Sequence, residues 1–513
     1  MGKKKNKKKD KNPAVSRRDF LKIGSAGAVL GAVGLASIPK EAAAKKVNEE
    51  TKKAIVKEHD DFPNEVRSDY KPKPSYSTAH GHGMFPNELR ALGIDVDKDC
   101  EKYGQKFVHH MNYEYEKGKK GFDQLAKAFE GGAWALANFA SGPMAGGVPD
   151  YGVMTWDNND DKFPFGLMHQ DYVQKEQYQF QSKEDAANAI KRAAILYGAS
   201  LVGITHRDER WDYSQQFNPV PPMVRKITPM GPKQFQHLQM VGGDSMHNEM
   251  MSHTPDKWLH DIDGKAGFTP KTVIVLAFEM DYEALTAAPS CISGAAAGDG
   301  YSSMTKVAYQ IAVFLRQLGY KAIPTGNDTG LSIPYAIAAG LGEGSRMGSL
   351  VTYKYGPRVR LAKVYTDFDF VDYDKPKTFG VEEFCKRCLK CADACPSKAI
   401  PRDKEPTFEP THDNKDNAFY NFSGVKKWYM DAKKCFKLWA ELGNDCGACI
   451  SSCPYNKPDF WHHSLVDSIS AAMPGPVHNF MREMDDVFGY GNTEDYKAVD
   501  KFLDSKGKSY NGF

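Results

Sequence analysis

The chain has 513 residues, 41% of them hydrophobic and 12% aromatic, enough for two or three domains with sizeable cores. Lys plus Arg number 68 against 65 Asp plus Glu, a formal net charge of +3, and seven of the lysines fall between Lys3 and Lys11. The body is therefore near neutral, which excludes a basic nucleic-acid-binding face, and ten cysteines in so long a chain do not make a small disulfide scaffold.

The N-terminus reads as a targeting segment. Behind the lysines stands Ser16-Arg17-Arg18-Asp19-Phe20-Leu21-Lys22, a twin-arginine signature. A mild Gly- and Ala-rich run from Ile23 to Ile38 follows, shorter than a membrane span, and Ala42-Ala43-Ala44 offers small residues for cleavage. Residues 1–44 are expected to be a signal peptide. No other stretch is apolar enough to span a bilayer, so the mature protein is expected outside the cytoplasm, soluble or peripheral.

Residues 45–180 are expected to form an N-terminal arm and cap region. Its first part, 45–74, is charged and proline-punctuated and reads as a loose arm. The stretch from His80 to Met240 mixes short helical and irregular segments and carries Trp134, Trp156 and Trp211, as core or as lining of an apolar pocket. The spacing of Ala186, Ala187, Ile190 and Ala194 predicts a helix over Lys183–Leu196, with a strand after it at Ser200–Ile204.

A core region over 181–377 follows. The apolar run Val273–Phe278 reads as a buried strand. Val307, Ile311, Phe314, Leu315 and Leu318 line one face of a helix over Ser303–Leu318 that Gly319 can end. Strands are expected at Tyr320–Ile323 and Arg358–Tyr365, and a helix from Pro334 to Ala339, stopped by Gly340-Leu341-Gly342. Helices alternating with strands indicate α/β layering. Ser293–Gly300 is rich in Gly and Ala and reads as a flexible segment whose backbone could approach a ligand closely. Cys100 and Cys291 stand alone, as buried structural thiols.

Eight cysteines fall near the C-terminal end, in the segment 378–456; a polar tail, 457–513, comes after it. Cys385, Cys388, Cys391 and Cys395 precede Pro396 with the spacing C-x2-C-x2-C-x3-C-P, by which bacterial ferredoxins hold iron–sulfur clusters. Cys446, Cys449 and Cys453, before Pro454, form a second run that lacks its leading cysteine, and Cys435 stands upstream to fill the gap. In two-cluster ferredoxins the last cysteine of a run ligates the other cluster. Cys385, Cys388, Cys391 and Cys453 are thus expected to hold one [4Fe-4S] cluster, and Cys395, Cys435, Cys446 and Cys449 the second. Zinc sites use pairs of C-x2-C separated by a long gap, a different pattern.

Further stretches complete a pattern. They are Asp208-Glu209-Arg210-Trp211, Lys271 to Val275, Tyr301-Ser302-Ser303-Met304, Gly326-Asn327-Asp328-Thr329-Gly330, Gly340-Leu341-Gly342-Glu343 and Tyr355 to Arg360. Together with the twin-arginine signature and both cysteine runs, they make the chain resemble the respiratory corrinoid-dependent reductive dehalogenases, from Arg17 to the tail. The resemblance implies an α+β protein: a nitroreductase-like, vitamin-B12-binding α/β core beside a ferredoxin-like domain with two [4Fe-4S] clusters. It implies a cobalamin-type corrinoid held base-off in a buried cavity, with one cluster near the corrin and the other near the surface. The sequence lacks D-x-H-x-x-G, the corrinoid motif with a histidine lower ligand; His80, His82, His247 and His253 all stand outside that context.

The implied reaction exchanges a carbon–halogen bond of an organohalide for carbon–hydrogen, with two electrons and a proton, as the last step of anaerobic organohalide respiration. Tyr301, ahead of the Ser303 helix, matches the family's proton donor, Arg360 the cation that steadies its phenolate, and Asn327 a group that orients phenol or substrate. Gly298, Gly300, Gly340 and Gly342 are candidate corrinoid contacts. Implied partners are a halogenated organic substrate, a small integral-membrane anchor protein and an electron donor of the respiratory chain, with no nucleic acid, on the outer face of the cytoplasmic membrane. Two rivals are an epoxyqueuosine reductase, which works on tRNA and needs no export signal, and an exported ferredoxin-like carrier, which needs only a small domain. The organohalide, the lower base of the corrinoid and whether cobalt attacks halogen or carbon stay open.

Overall fold

The computed structural model describes residues 56–73, 115–140, 173–214, 216–217, 259–260, 268–327, 329–413, 422–456 and 497–504, all in the unit Ile55–Phe513. The signal-peptide segment, Cys100, Trp156, His80, His82, His247 and His253 lie outside the described residues. The elements are β1 (Lys57–Glu58), α1 (Gln124–Ala140), α2 (Lys183–Tyr197), β2 (Leu201–His206), β3 (Gln216–Phe217), β4 (Leu259–His260) and β5 (Thr272–Glu279). There follow α3 (Tyr282–Thr286), α4 (Cys291–Gln317), β6 (Ala322–Thr325), α5 (Ser332–Ala338), β7 (Gly342–Gly344), β8 (Leu350–Thr352), β9 (Val359–Thr366) and β10 (Lys377–Thr378). The last are α6 (Val381–Cys385), α7 (Lys390–Ala394), α8 (Ala432–Leu442), α9 (Ala448–Ser451) and α10 (Lys497–Leu503).

The central sheet has the order β2-β5-β9-β6, and every neighbouring pair is antiparallel. Alternation of helices and strands along the chain carries no strand direction, so the layering was readable and the antiparallel pairing was not. The run Val273–Phe278 is apolar throughout because both faces of β5 are covered. Ile274, Leu276 and Phe278 pack with Ala362 and Val364 of β9 against Ile190 of α2 and Met304, Val307 and Ile311 of α4. The intervening Val273, Val275 and Ala277 pack with Leu361 and Tyr365 against Tyr335, Ala336 and Ile337 of α5. Period-two alternation sorts each strand into these two layers, and each fully buried Val, Leu, Ile or Phe stabilises by about 1.5–3 kcal/mol.

α2 matches its expected limits: Ser182 accepts from the Asp185 N–H at the start, and Gly198, at φ 117°, closes the end. α4 corrects the reading of 293–300. Ser290 and Ser293 form a reciprocal cap, and the helix starts there, three turns before the expected Ser303. The segment Ser293–Gly300 is therefore helix and not a flexible loop. Its small residues let α1 lie close along it. A Cβ on Gly298 would collide with the indole of Trp134, and the Trp134 Nε1–H donates to the Gly294 carbonyl at 3.1 Å.

The expected loose arm is also corrected over 56–73. β1 pairs with β10, Val66 bridges to Val425, and Phe62 and Tyr70 pack on Trp211 with ring centroids 4.7 and 5.7 Å away. Part of the polar tail is structured as well: Val499 of α10 is buried beside Leu285 of α3 and Ile292 of α4.

Candidate active site

Alternation along β9 sets the first functional side chain. Arg360 shares the strand face of Ala362 and Val364, so it points toward α4. Gly300 makes room for it, since a Cβ there would lie 2.7 Å from Arg360 Cγ. Tyr301 is the next residue of α4 and so lies inside the helix rather than ahead of it. The Arg360 guanidinium sits 4.8 Å from the centre of the Tyr301 ring, within cation–π range. Trp134 stacks on Tyr301 with centroids 4.8 Å apart and planes at 26°. Asn327, in the turn after β6, donates from Nδ2 to Tyr301 Oη at 2.8 Å. The phenol oxygen is thus an acceptor toward the amide, and its own proton is left to point elsewhere. Helix, turn and strand deliver the three expected residues to one place.

The Asn327 turn is braced from the opposite face of the sheet. Lys363 is fully buried and donates from Nζ to the Gly326 carbonyl at 2.5 Å and to Ser332 Oγ at 2.8 Å. Tyr213 N–H donates to the Thr329 carbonyl at 2.9 Å. Beside it, Asp212 Oδ1 accepts from the hydroxyls of Tyr335 at 2.6 Å and Tyr365 at 2.9 Å, and Arg207 Nε lies 2.6 Å from Oδ2. Burial pushes the Asp212 carboxyl above its ordinary range, against the pull of Arg207 and the phenols. Burial and then Asp212 push both phenols well up. Such a satisfied buried network rigidifies its surroundings.

In the segment 378–456 the eight cysteines come together on short helices. Cys385 ends α6, Cys391 lies in α7, Cys435 in α8 and Cys449 in α9, and α7 packs on α9. Burial, then the thiols of Cys385, Cys453, Cys388 and Cys449, push Cys391 well above its ordinary pKa. Burial, then Cys449, Cys446 and Cys395, do the same to Cys435. Burial raises Cys385 and Cys449 each to about 12. Thiols that suppress one another's ionisation make a donor set that calls for positive charge, and a bound metal centre deprotonates them outright. Among the described residues, no three His, Cys, Asp or Glu side chains converge closely enough to share one ion. The spacing of the two cysteine runs is that of a polynuclear centre and not of a single zinc.

A seam joins the two regions. Asp445, one residue before Cys446, lies 3.6 Å from Arg360 Nη2. Arg360 Nε and both ends of the neighbouring Asn444 amide are buried and without a hydrogen-bond partner among the described residues. The group of Cys395, Cys435, Cys446 and Cys449 thus lies on the side of Tyr301.

Comparison with known proteins decides the family. Residues 384–456, with all eight cysteines, match the 4Fe-4S double cluster binding domain. A tetrachloroethene reductive dehalogenase of Dehalobacter restrictus is 40% identical over 72% of this chain and 68% of its own length. Another of that name, from Desulfitobacterium hafniense, is 35% identical over 93% of this chain and 94% of its own. The chain belongs to the reductive dehalogenases. The catabolic reductive dehalogenase NpRdhA shares the fold, with a TM-score of 0.57 at 18% identity over 85% of this chain. The dehalogenase described here spans about half of that longer chain, 49%.

This reductive dehalogenase is an oxidoreductase that uses two [4Fe-4S] clusters and a corrinoid. The eight thiols fit the clusters. The orphaned Nε of Arg360, whose guanidinium lies over Tyr301, fits a large polar-edged group such as a corrinoid, whose peripheral amides can accept. Of the four candidate glycines, Gly298 meets Trp134 and Gly300 meets Arg360, as above. Gly340, at φ +71°, ends α5 against the Lys375 carbonyl, and Gly342 lies under the Val351 carbonyl. Their nearest neighbours are protein groups. Trp134, expected as core or pocket lining, stacks on Tyr301, whereas nothing in the sequence points to Asp445 or Asn444. Gly294 and Gly298 stand one helical turn apart behind the Ser290–Ser293 cap, but only the arrival of α1 shows them to be a notch for Trp134.

Proposed function

We propose that this dehalogenase exchanges a carbon–chlorine bond of a chlorinated ethene for carbon–hydrogen, with Tyr301 as the proton donor. The observation that carries this is the hydrogen bond from Asn327 Nδ2 to Tyr301 Oη at 2.8 Å under the Arg360 guanidinium. The substrate class rests on the relatives named tetrachloroethene reductive dehalogenase. When bound, the clusters and the corrinoid supply the two electrons that break the carbon–halogen bond and release halide. Every remaining task falls to the chain. Tyr301 Oη gives its proton to the carbon that has lost halogen. Arg360, half-buried over the ring, stabilises the phenolate as it forms. Asn327 already donates to that oxygen and holds the ring in place while Trp134 covers it. Asp445 keeps Arg360 aligned. Cys385, Cys388, Cys391 and Cys453 hold one cluster, and Cys395, Cys435, Cys446 and Cys449 the cluster nearer Tyr301.

The enzyme serves as a terminal respiratory reductase. It leaves the cytoplasm by the twin-arginine signal within 1–44, sits on the outer membrane face through a small integral-membrane anchor and receives electrons from a respiratory donor. The Arg17-Arg18 signature supports export, and no helix among the described residues is long and apolar enough to cross a membrane. Anaerobic assays of the loaded enzyme are expected to release chloride from tetrachloroethene in preference to chlorophenols and chloroalkanes. The reverse preference overturns the substrate reading. Export of an Arg17→Lys, Arg18→Lys double variant at the wild-type level overturns the export reading.

A further inference from the structure

Arg346 is a fully buried guanidinium in the turn between β7 and β8. It forms no ion pair within 4.0 Å among the described residues, and every hydrogen bond it makes goes to a main-chain carbonyl. Nε donates to Cys385 O at 3.1 Å and to Cys388 O at 3.2 Å, and Nη2 to Cys385 O at 2.5 Å. Nη1 donates to Pro401 O at 3.0 Å and to Asp403 O at 2.6 Å. The guanidinium also stacks on Trp428, 4.8 Å from the ring centre. The nearest buried acid on its own hairpin, Glu343, turns its carboxylate to the backbone N–H groups of Phe379 and Val381.

A buried cation without a counter-ion is strongly unfavourable. The carbonyls satisfy its protons but leave its charge unneutralised. The missing anion is the neighbouring cluster. Four thiolates outweigh the positive charge of the oxidised iron–sulfur core, so the assembly is anionic. Reduction adds one electron and one further negative charge, with no bond made or broken. A fixed positive charge lowers the energy of the reduced form more than that of the oxidised form, and net charge, hydrogen bonding and burial are the settings of cluster potential. The second cluster differs: the charged group beside its ligand Cys446 is Asp445, an acid.

We propose that Arg346 is the built-in counter-charge of the cluster held by Cys385, Cys388, Cys391 and Cys453, and that it raises the reduction potential of that cluster alone. The proposal rests on the ligand assignment above, and iron counting separates the two. Loss of half the iron in Cys391→Ala, and of the other half in Cys449→Ala, verifies the assignment and identifies each cluster's signal. Anaerobic potentiometric titration followed by electron paramagnetic resonance then compares the wild type, R346K and R346Q. R346Q is expected to lower the midpoint of the first cluster and leave the second unchanged, while R346K keeps both near wild type. The proposal is overturned if R346Q leaves the first midpoint in place, if both midpoints move together, or if R346K shifts it as far as R346Q. Where R346Q fails to load the first cluster, R346K decides: it must load both clusters and hold the wild-type midpoint, and failure to do so overturns the proposal.

Discussion

In the core, Tyr301, Asn327 and Arg360 come from a 27-residue helix, a turn and a strand whose two faces are both covered by apolar layers. In the cluster module, Cys385, Cys391 and Cys449 ride on helices of five, five and four residues. Helices that short have little stability of their own, and the buried thiols repel one another as they ionise. The core carries its order in hydrophobic burial, whereas the module, with a smaller apolar cluster around Phe384, Trp428 and Tyr455, is expected to take much of its order from the metal it binds. Precision at the two sites therefore has different origins and fails in different ways.

The largest effects are expected where the module loses metal. Cys391→Ala and Cys449→Ala should each abolish dehalogenation and remove about half the iron. Amide hydrogen exchange should rise over 378–456 while β5 and β9 stay protected. Equal loss of protection in β5 and β9 would show that the core leans on the metal after all.

Next in size is the chemistry of the core. Tyr301→Phe should lower turnover by about 10²–10⁴-fold, the usual contribution of a general acid, and Arg360→Leu should do comparable harm. Both variants are expected to retain iron and corrinoid, measured by iron analysis and absorption spectra. Wild-type turnover by a fully loaded Tyr301→Phe enzyme would remove the phenol from the mechanism.

The smallest effect tests packing alone. Gly298→Ala forces a methyl group into the Trp134 indole, and overpacking of this kind typically costs about 1–3 kcal/mol. The variant should melt earlier with its full iron content. It should also lose some activity, because Trp134 stacks on Tyr301.

The same division governs what the sequence discloses. The cysteine runs are local, so their spacing exposed the clusters before any fold was known. Strand β5 is legible because burial on both faces leaves an unbroken apolar run, and helix α2 because burial on one face imprints a helical period. The start of α4 is not. Gly294, Ala295, Ala296, Ala297 and Gly298 look flexible in isolation and become a notch only when α1 arrives from far away in the chain. The antiparallel pairing of β5 with β9, the ion pair of Arg360 with Asp445 and the five carbonyl bonds of Arg346 are all long-range, and no short window of sequence encodes them. Tyr301, Asn327 and Arg360 were found through a family pattern; their meeting point is a property of the sheet.

The clasp of residues 57–67 on residues 377–424 bears on synthesis. His59 bonds to Thr378, 319 residues away, and the Arg67 N–H donates to the Gly424 carbonyl at 2.8 Å. The strand at Lys57–Glu58 is made long before its partner at Lys377–Thr378. At roughly 5–20 residues per second, the ribosome needs on the order of tens of seconds to bring them together. The segment 57–67 therefore stays unclasped for that time.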